Sequence, residues 1–140
     1  MNGYNQYQNN QIATASREQI LLMLYDGAIR FCKQAKLAIS NDAMADKGKY
    51  IGKAMAIISE FSNSLDHQVG GEIAANLDAL YNYMLKELSD GNVNNNPDRI
   101  DTVCTMLCEL RATWAEAIEI NNYDNKEPSQ EPQQLQVSSV

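Results

Sequence analysis

The side chains best suited to metal or covalent chemistry in this 140-residue chain are three cysteines, one histidine and scattered carboxylates. Cys104 and Cys108 stand one helical turn apart, and with Cys32 they could offer thiolates to a metal. However, Cys104 shares an apolar stripe with Ile100, Val103 and Leu107, and Cys108 lies just beside it. Both are expected to pack as small hydrophobes. His67 is the lone histidine; a di-iron helical bundle needs paired Glu-x-x-His motifs, and haem attachment needs Cys-x-x-Cys-His. Its expected place is the end of a helix, where a cation suits the carbonyl dipole. No Ser-His-Asp order, phosphate-binding loop or dinucleotide fingerprint occurs, and the acids are spread as on a solvated face. An enzyme is not expected, and neither a metal nor a cofactor is called for.

The elements that would position these residues are helices. Ser16 can cap a first helix with Gln19 completing a capping box, and the pattern runs to about Ser40, giving 16–40. A second, 42–66, starts from Asn41 or Asp42 and carries Ile51, Ala54, Met55, Ile58, Phe61 and Leu65 in alternating threes and fours. Gly48 and Gly52 weaken its first half. The run "HQVGGE" reads as a break. A third helix, 72–90, places Ile73, Leu77, Leu80, Met84 and Leu88 on one stripe, with Gly91 as its C-terminal cap. Asn96 followed by Pro97 starts a fourth, 97–121, carrying Ile100, Val103, Leu107, Leu110, Trp114 and Ile118.

Residues 1–15 are uncharged and rich in Asn and Gln, which suits a flexible arm, and 122–140 lose all periodicity, as in a disordered tail. No strand signal competes. The expected fold is therefore all-α: an antiparallel up-down four-helix bundle over 16–121, with an N-terminal arm and a disordered C-terminal tail.

The first helix carries more apolar surface than its neighbours require. On a wheel, its apolar arc spans roughly 220°, against roughly 140° for the third helix, from which Tyr83 is stranded. Ile20, Leu24, Tyr25, Gly27, Ala28 and Phe31 all fall in the wide arc. A bundle helix touching two neighbours accounts for much of it, and a homodimer is another account. A third is a groove kept for a different polypeptide. Gly27 and Ala28 fit either the close approach of a foreign backbone or close packing within the bundle.

With a hydrophobic content of 44%, the chain still has no run near the roughly 20 apolar residues of a membrane span. The formal net charge of −7 disfavours nucleic acid. An odd cysteine count and no visible signal segment make the cytoplasm the expected compartment.

Four segments in order, "TASREQILLMLYDGAIRFCKQAKLAI", "KAMAIISEF", "LDHQVGGEIAANLDALYNYMLKEL" and "LRATWAEAI", resemble the flagellar export chaperone family FliS across roughly residues 4–120. The stretch "LMLYDGAIRF" is the most specific. The resemblance implies a cytoplasmic helical bundle, monomeric when free. Such a bundle holds the disordered C-terminal segment of flagellin, prevents premature polymerisation and keeps the subunit competent for type III export. Other flagellar export components are further partners it implies; the competing reading is a homodimerising helical scaffold. The resemblance places client-groove features on Leu24, Tyr25, Gly27, Ala28, Leu80, Tyr81 and Met84, with Ile20 and Phe31 joining them through the apolar arc. It makes Tyr4 and Tyr7 part of an arm that covers the groove. Trp114 matches a core tryptophan of the family. Arg17 departs from the family's frequent proline after "TAS", which bears on the helix start alone.

Overall fold

The computed structural model describes residues 15–130, with side chains to residue 124. Four helices occupy them: α1 Arg17–Ser40, α2 Met44–Asn63, α3 His67–Asn94 and α4 Pro97–Gln130. The expected arm residues Tyr4 and Tyr7 and the tail 131–140 lie outside the described residues. The chain divides into two compact units, Met23–Glu109 and a second that takes in the chain on either side.

In the unit Met23–Glu109 the helices form an antiparallel up-down bundle, because the connections 41–43, 64–66 and 95–96 are too short for anything else. Its core draws on every helix: Tyr25, Cys32 and Ala35 from α1, Ile51 and Ile58 from α2, Met84 and Leu88 from α3, and Ile100, Val103 and Leu107 from α4. These are the threes and fours of the sequence pattern, turned inward.

The joints explain where the boundaries fall. Asp42 adopts φ 57° and ends α1 instead of starting α2, while Ala43 donates its amide to Ala38 at 2.8 Å, as in a Schellman turn. The first turns of α2 are held by Lys47, a buried amine that donates to the Asn92 carbonyl at 2.9 Å and to the Asn95 side chain. Asn95 takes the left-handed conformation (φ 50°) that closes α3. The cap is thus four residues beyond Gly91, whose carbonyl accepts the Asn96 amide at 3.0 Å. The Asn96 side chain accepts from the Asp98 amide at 3.0 Å and starts α4 as expected.

Helix α3 begins five residues before the expected Glu72. Asp66 caps it, accepting from the amides of Gln68 and Val69, each at 3.1 Å. His67 therefore opens α3 instead of ending α2, so the dipole reading of that residue fails. The expected break is confined to Gly71, at φ 52° and ψ −122°, which kinks the helix without ending it. Only glycine adopts that conformation at little cost.

The second unit is described over 15–22 and 110–130. Its part of α1 opens with the capping box: Gln19 N–H reaches Ser16 Oγ at 3.1 Å, and Ser16 N–H reaches Gln19 Oε1 at 2.9 Å. Trp114 is half-buried instead of enclosed; an indole is seldom fully covered. Helix α4 runs to Gln130, past the expected end at 121. Its backbone bonds propagate without an apolar stripe once the helix is nucleated.

Candidate polypeptide-binding surface

The residues expected to form a client groove separate into interior and surface. Tyr25 and Tyr81 are 0% and 2% exposed, and their hydroxyls are 2.6 Å apart. Phe61 of α2 stacks on Tyr25 with ring centroids 4.4 Å apart and lies 5.5 Å from the Tyr81 ring. The three rings join α1, α2 and α3 around a buried polar contact. Met84 and Ala28 are also fully buried.

Gly27 is buried against α2. A Cβ placed there would meet Ile57 Cδ1 at 3.5 Å, an ordinary contact. Gly27 and Ala28 are therefore interior positions of the bundle, and the space at Gly27 does not itself require glycine.

Of the remaining expected residues, Leu24 and Phe31 are half-buried and Leu80 is exposed. Ile20 is half-buried in the other unit. The apolar surface that the bundle leaves open is carried chiefly by α3. Val69 (84% exposed), Ile73 (69%), Leu80 (38%) and Tyr83 (47%) all face outward. Beyond the Gly71 kink, Ile73, Leu80 and Tyr83 recur at i, i+7 and i+10, which keeps them on one side of the helix.

Ile73 and Leu80 belong to the expected stripe of this helix, and Leu80 was also among the expected client-groove residues. Their neighbours Met84 and Leu88 do occupy the core, so the apolar face of α3 is wider than the bundle can cover. The signal that pointed outward was Tyr83, which the wheel leaves outside the arc. Val69 was missed because it sits in the segment read as a break.

The cysteines carry no sign of site chemistry. Burial, and secondarily the nearby Cys104 and Cys108, push the Cys32 thiol up to about 12. Burial also raises Cys104. Both remain neutral thiols at physiological pH, which suits packing. Cys108, expected beside the core stripe, is exposed. Among the described residues no group of three or more His, Cys, Asp and Glu is placed to hold a metal ion, and no helix is long and apolar enough to cross a membrane.

The surface and its aromatic support occur in a recognisable sequence setting. The profile of the family described as "Flagellar protein FliS" matches residues 1–121. The chain is 38% identical to the "Flagellar secretion chaperone FliS" of Campylobacter jejuni over 113 residues, which is 81% of this chain and 88% of the relative. It is 33% identical to the Bacillus subtilis protein of that name over 123 residues, 88% of this chain and 91% of the relative. It is also 35% identical to "Flagellar secretion chaperone FliSB" of Pseudomonas aeruginosa, covering 74% of this chain and 82% of the relative.

Proposed function

The chain belongs to the FliS family of flagellar secretion chaperones, and from that premise we propose that it binds the disordered C-terminal segment of flagellin in the cytoplasm. Binding there keeps the subunit from polymerising prematurely and competent for flagellar type III export. The chain works as a chaperone without chemistry of its own.

The observation that carries this reading is the uncovered apolar row on α3. A disordered segment that folds on binding loses conformational entropy, and burying a preformed apolar surface offsets that loss. Ile73, Leu80 and Tyr83 offer such a surface at helical spacing, which suits a client that docks its own amphipathic helix. Leu24 and Phe31 of α1, half-exposed, extend the apolar contact. Tyr25, Gly27, Ala28, Tyr81 and Met84 act from beneath, holding α1 and α3 in register so that the surface keeps its shape.

Flagellin polymerisation followed by light scattering tests this. Stoichiometric full-length chain is expected to suppress filament growth, and an Ile73→Asp/Leu80→Asp variant with an unchanged melting temperature is expected to lose that suppression. Undiminished filament growth in the presence of the wild-type chain would sink the chaperone reading. A stable dimer in solution that seals the α3 row would favour the scaffold instead.

A further inference from the structure

The α1–α2 side of the Met23–Glu109 unit carries a patch unlike the rest of this acidic protein. Phe31 of α1 and Tyr50 of α2 stack with centroids 6.1 Å apart. Three cations surround the pair: Arg30 at 5.2 Å and Lys53 at 5.5 Å from the Phe31 centroid, and Lys49 at 5.1 Å from that of Tyr50. All three cations are exposed and both rings are half-exposed. None of the ion pairs formed among the described residues uses Arg30, Lys49 or Lys53; those pairs belong to Lys36 and Arg99.

The charge distribution sharpens the contrast. Residues 27–59 hold six of the chain's 11 Lys and Arg but two of its 18 Asp and Glu, Asp42 and Asp46. Lys47 of this stretch is buried and Lys36 is paired with Asp101, which leaves Lys33 and the three cations of the patch against an otherwise strongly acidic chain.

We propose that this face docks an acidic helical segment of a partner protein, through its carboxylates on Arg30, Lys49 and Lys53 and an apolar side chain on the edges of Phe31 and Tyr50. The spacing fits such a segment. Lys49 and Lys53 are one turn apart, about 6 Å along the axis, the rise at which carboxylates at i and i+4 of a docked helix recur. Arg30 and Lys53 both lie against the Phe31 ring, which places positive charge from α1 and α2 beside one apolar contact. Cation–aromatic contacts hold the three long side chains in place before binding, which lowers the ordering cost.

A nucleic acid fits less well. Its bases need open ring faces to stack on, and here the rings face each other and the cations. An extended polyanion, whether nucleic acid or membrane, would also meet the acidic remainder of the chain, whereas one short helix meets three cations with only Asp26 and Asp46 about one turn away along the same helices. The docking face lies on α1 and α2 and shares only Phe31 with the proposed flagellin surface; none of its three cations belongs to that surface, so the inference does not depend on the flagellin reading.

Fluorescence anisotropy with the full-length protein provides the test. The probes are a synthetic amphipathic helix with glutamates at successive i, i+4 positions beside a leucine, its Glu→Gln twin, an oligouridine, and phosphatidylglycerol vesicles. The glutamate peptide is expected to bind, to weaken as salt is added, and to bind about tenfold more tightly than its twin. An Arg30→Gln/Lys49→Gln/Lys53→Gln variant is expected to lose that same factor while binding the flagellin C-terminal segment unchanged. Equal affinity for the two peptides, or for wild type and variant, overturns the proposal. Tighter binding of oligouridine or vesicles through these residues assigns the face to another class of partner and overturns it too. Loss of flagellin binding in the variant merges the two surfaces and removes the separate partner.

Discussion

Replacing Tyr81 by Phe removes one oxygen from the middle of the bundle and leaves the aromatic packing intact. The 2.6 Å contact with Tyr25 is lost, while the Phe61 ring keeps both of its neighbours. Both tyrosines are at most 2% exposed, so water has little access to the vacated position. A hydrogen bond of this kind contributes about 0.5–1.5 kcal/mol net. For a domain of this size that lowers the melting temperature by about 4 °C. Tyr25→Phe should cost a similar amount, and the double variant less than the sum, with a coupling energy of about 1 kcal/mol. Thermal melts and urea titrations of the four proteins give these values. Because neither ring lies at the surface, affinity for the flagellin C-terminal segment should stay within twofold of wild type. Unchanged melting together with a tenfold loss of affinity would show that the hydroxyls meet the client, and the division into supporting core and contacting surface would be wrong.

Two further outcomes follow from the joints and the thiols. Asp66→Ala removes the acceptor for two amides at the start of α3 and should cost about 1 kcal/mol, read from the urea midpoint; an unchanged midpoint would deny the cap its role. Cys32 is held neutral up to about 12 when folded, against an ordinary value of 9.0. The unfolded chain therefore releases this proton first as pH rises. Its contribution to stability is full below about pH 9 and is lost progressively toward about pH 12, so Cys32→Ala should flatten the alkaline fall in the urea midpoint. An identical fall in the variant would remove Cys32 as its source. In the native protein at neutral pH, a thiol reagent should label exposed Cys108 and spare Cys32.

Much of this architecture is legible residue by residue. Ser16 with Gln19, and Asn96 with Pro97, mark helix starts because each supplies a local acceptor or a preset backbone angle, whatever surrounds it. The stripes Ile51–Ala54–Ile58–Phe61 and Ile100–Val103–Leu107 mark buried faces because no neighbour in those helices competes with the pattern. The start of α3 is less legible, since a pair of glycines reads as a break whether one residue or six leave the helix. Here only Gly71 does. Lys47 could not be found from its type: its burial depends on carbonyls supplied by the distant end of α3.

The candidate site divides along the same line. Periodicity identifies the apolar face of α3 but not what covers it, so it does not separate the exposed Ile73 and Leu80 from the buried Met84 and Leu88. Likeness to a family marks positions such as Tyr25 and Ala28 without separating those that touch a partner from those that hold the helices together. Gly27 illustrates the difference: it is buried beside Ile57 of α2, inside the bundle.

Calorimetric titration of the full-length chain with the C-terminal segment of flagellin, repeated over a range of temperatures, tests the central claim most directly. The result expected is one-to-one binding to a monomer, with a large negative heat-capacity change that shrinks when Ile73 and Leu80 are made aspartate. Absence of binding heat at every temperature, from a chain whose circular dichroism shows an intact helical bundle, would contradict it.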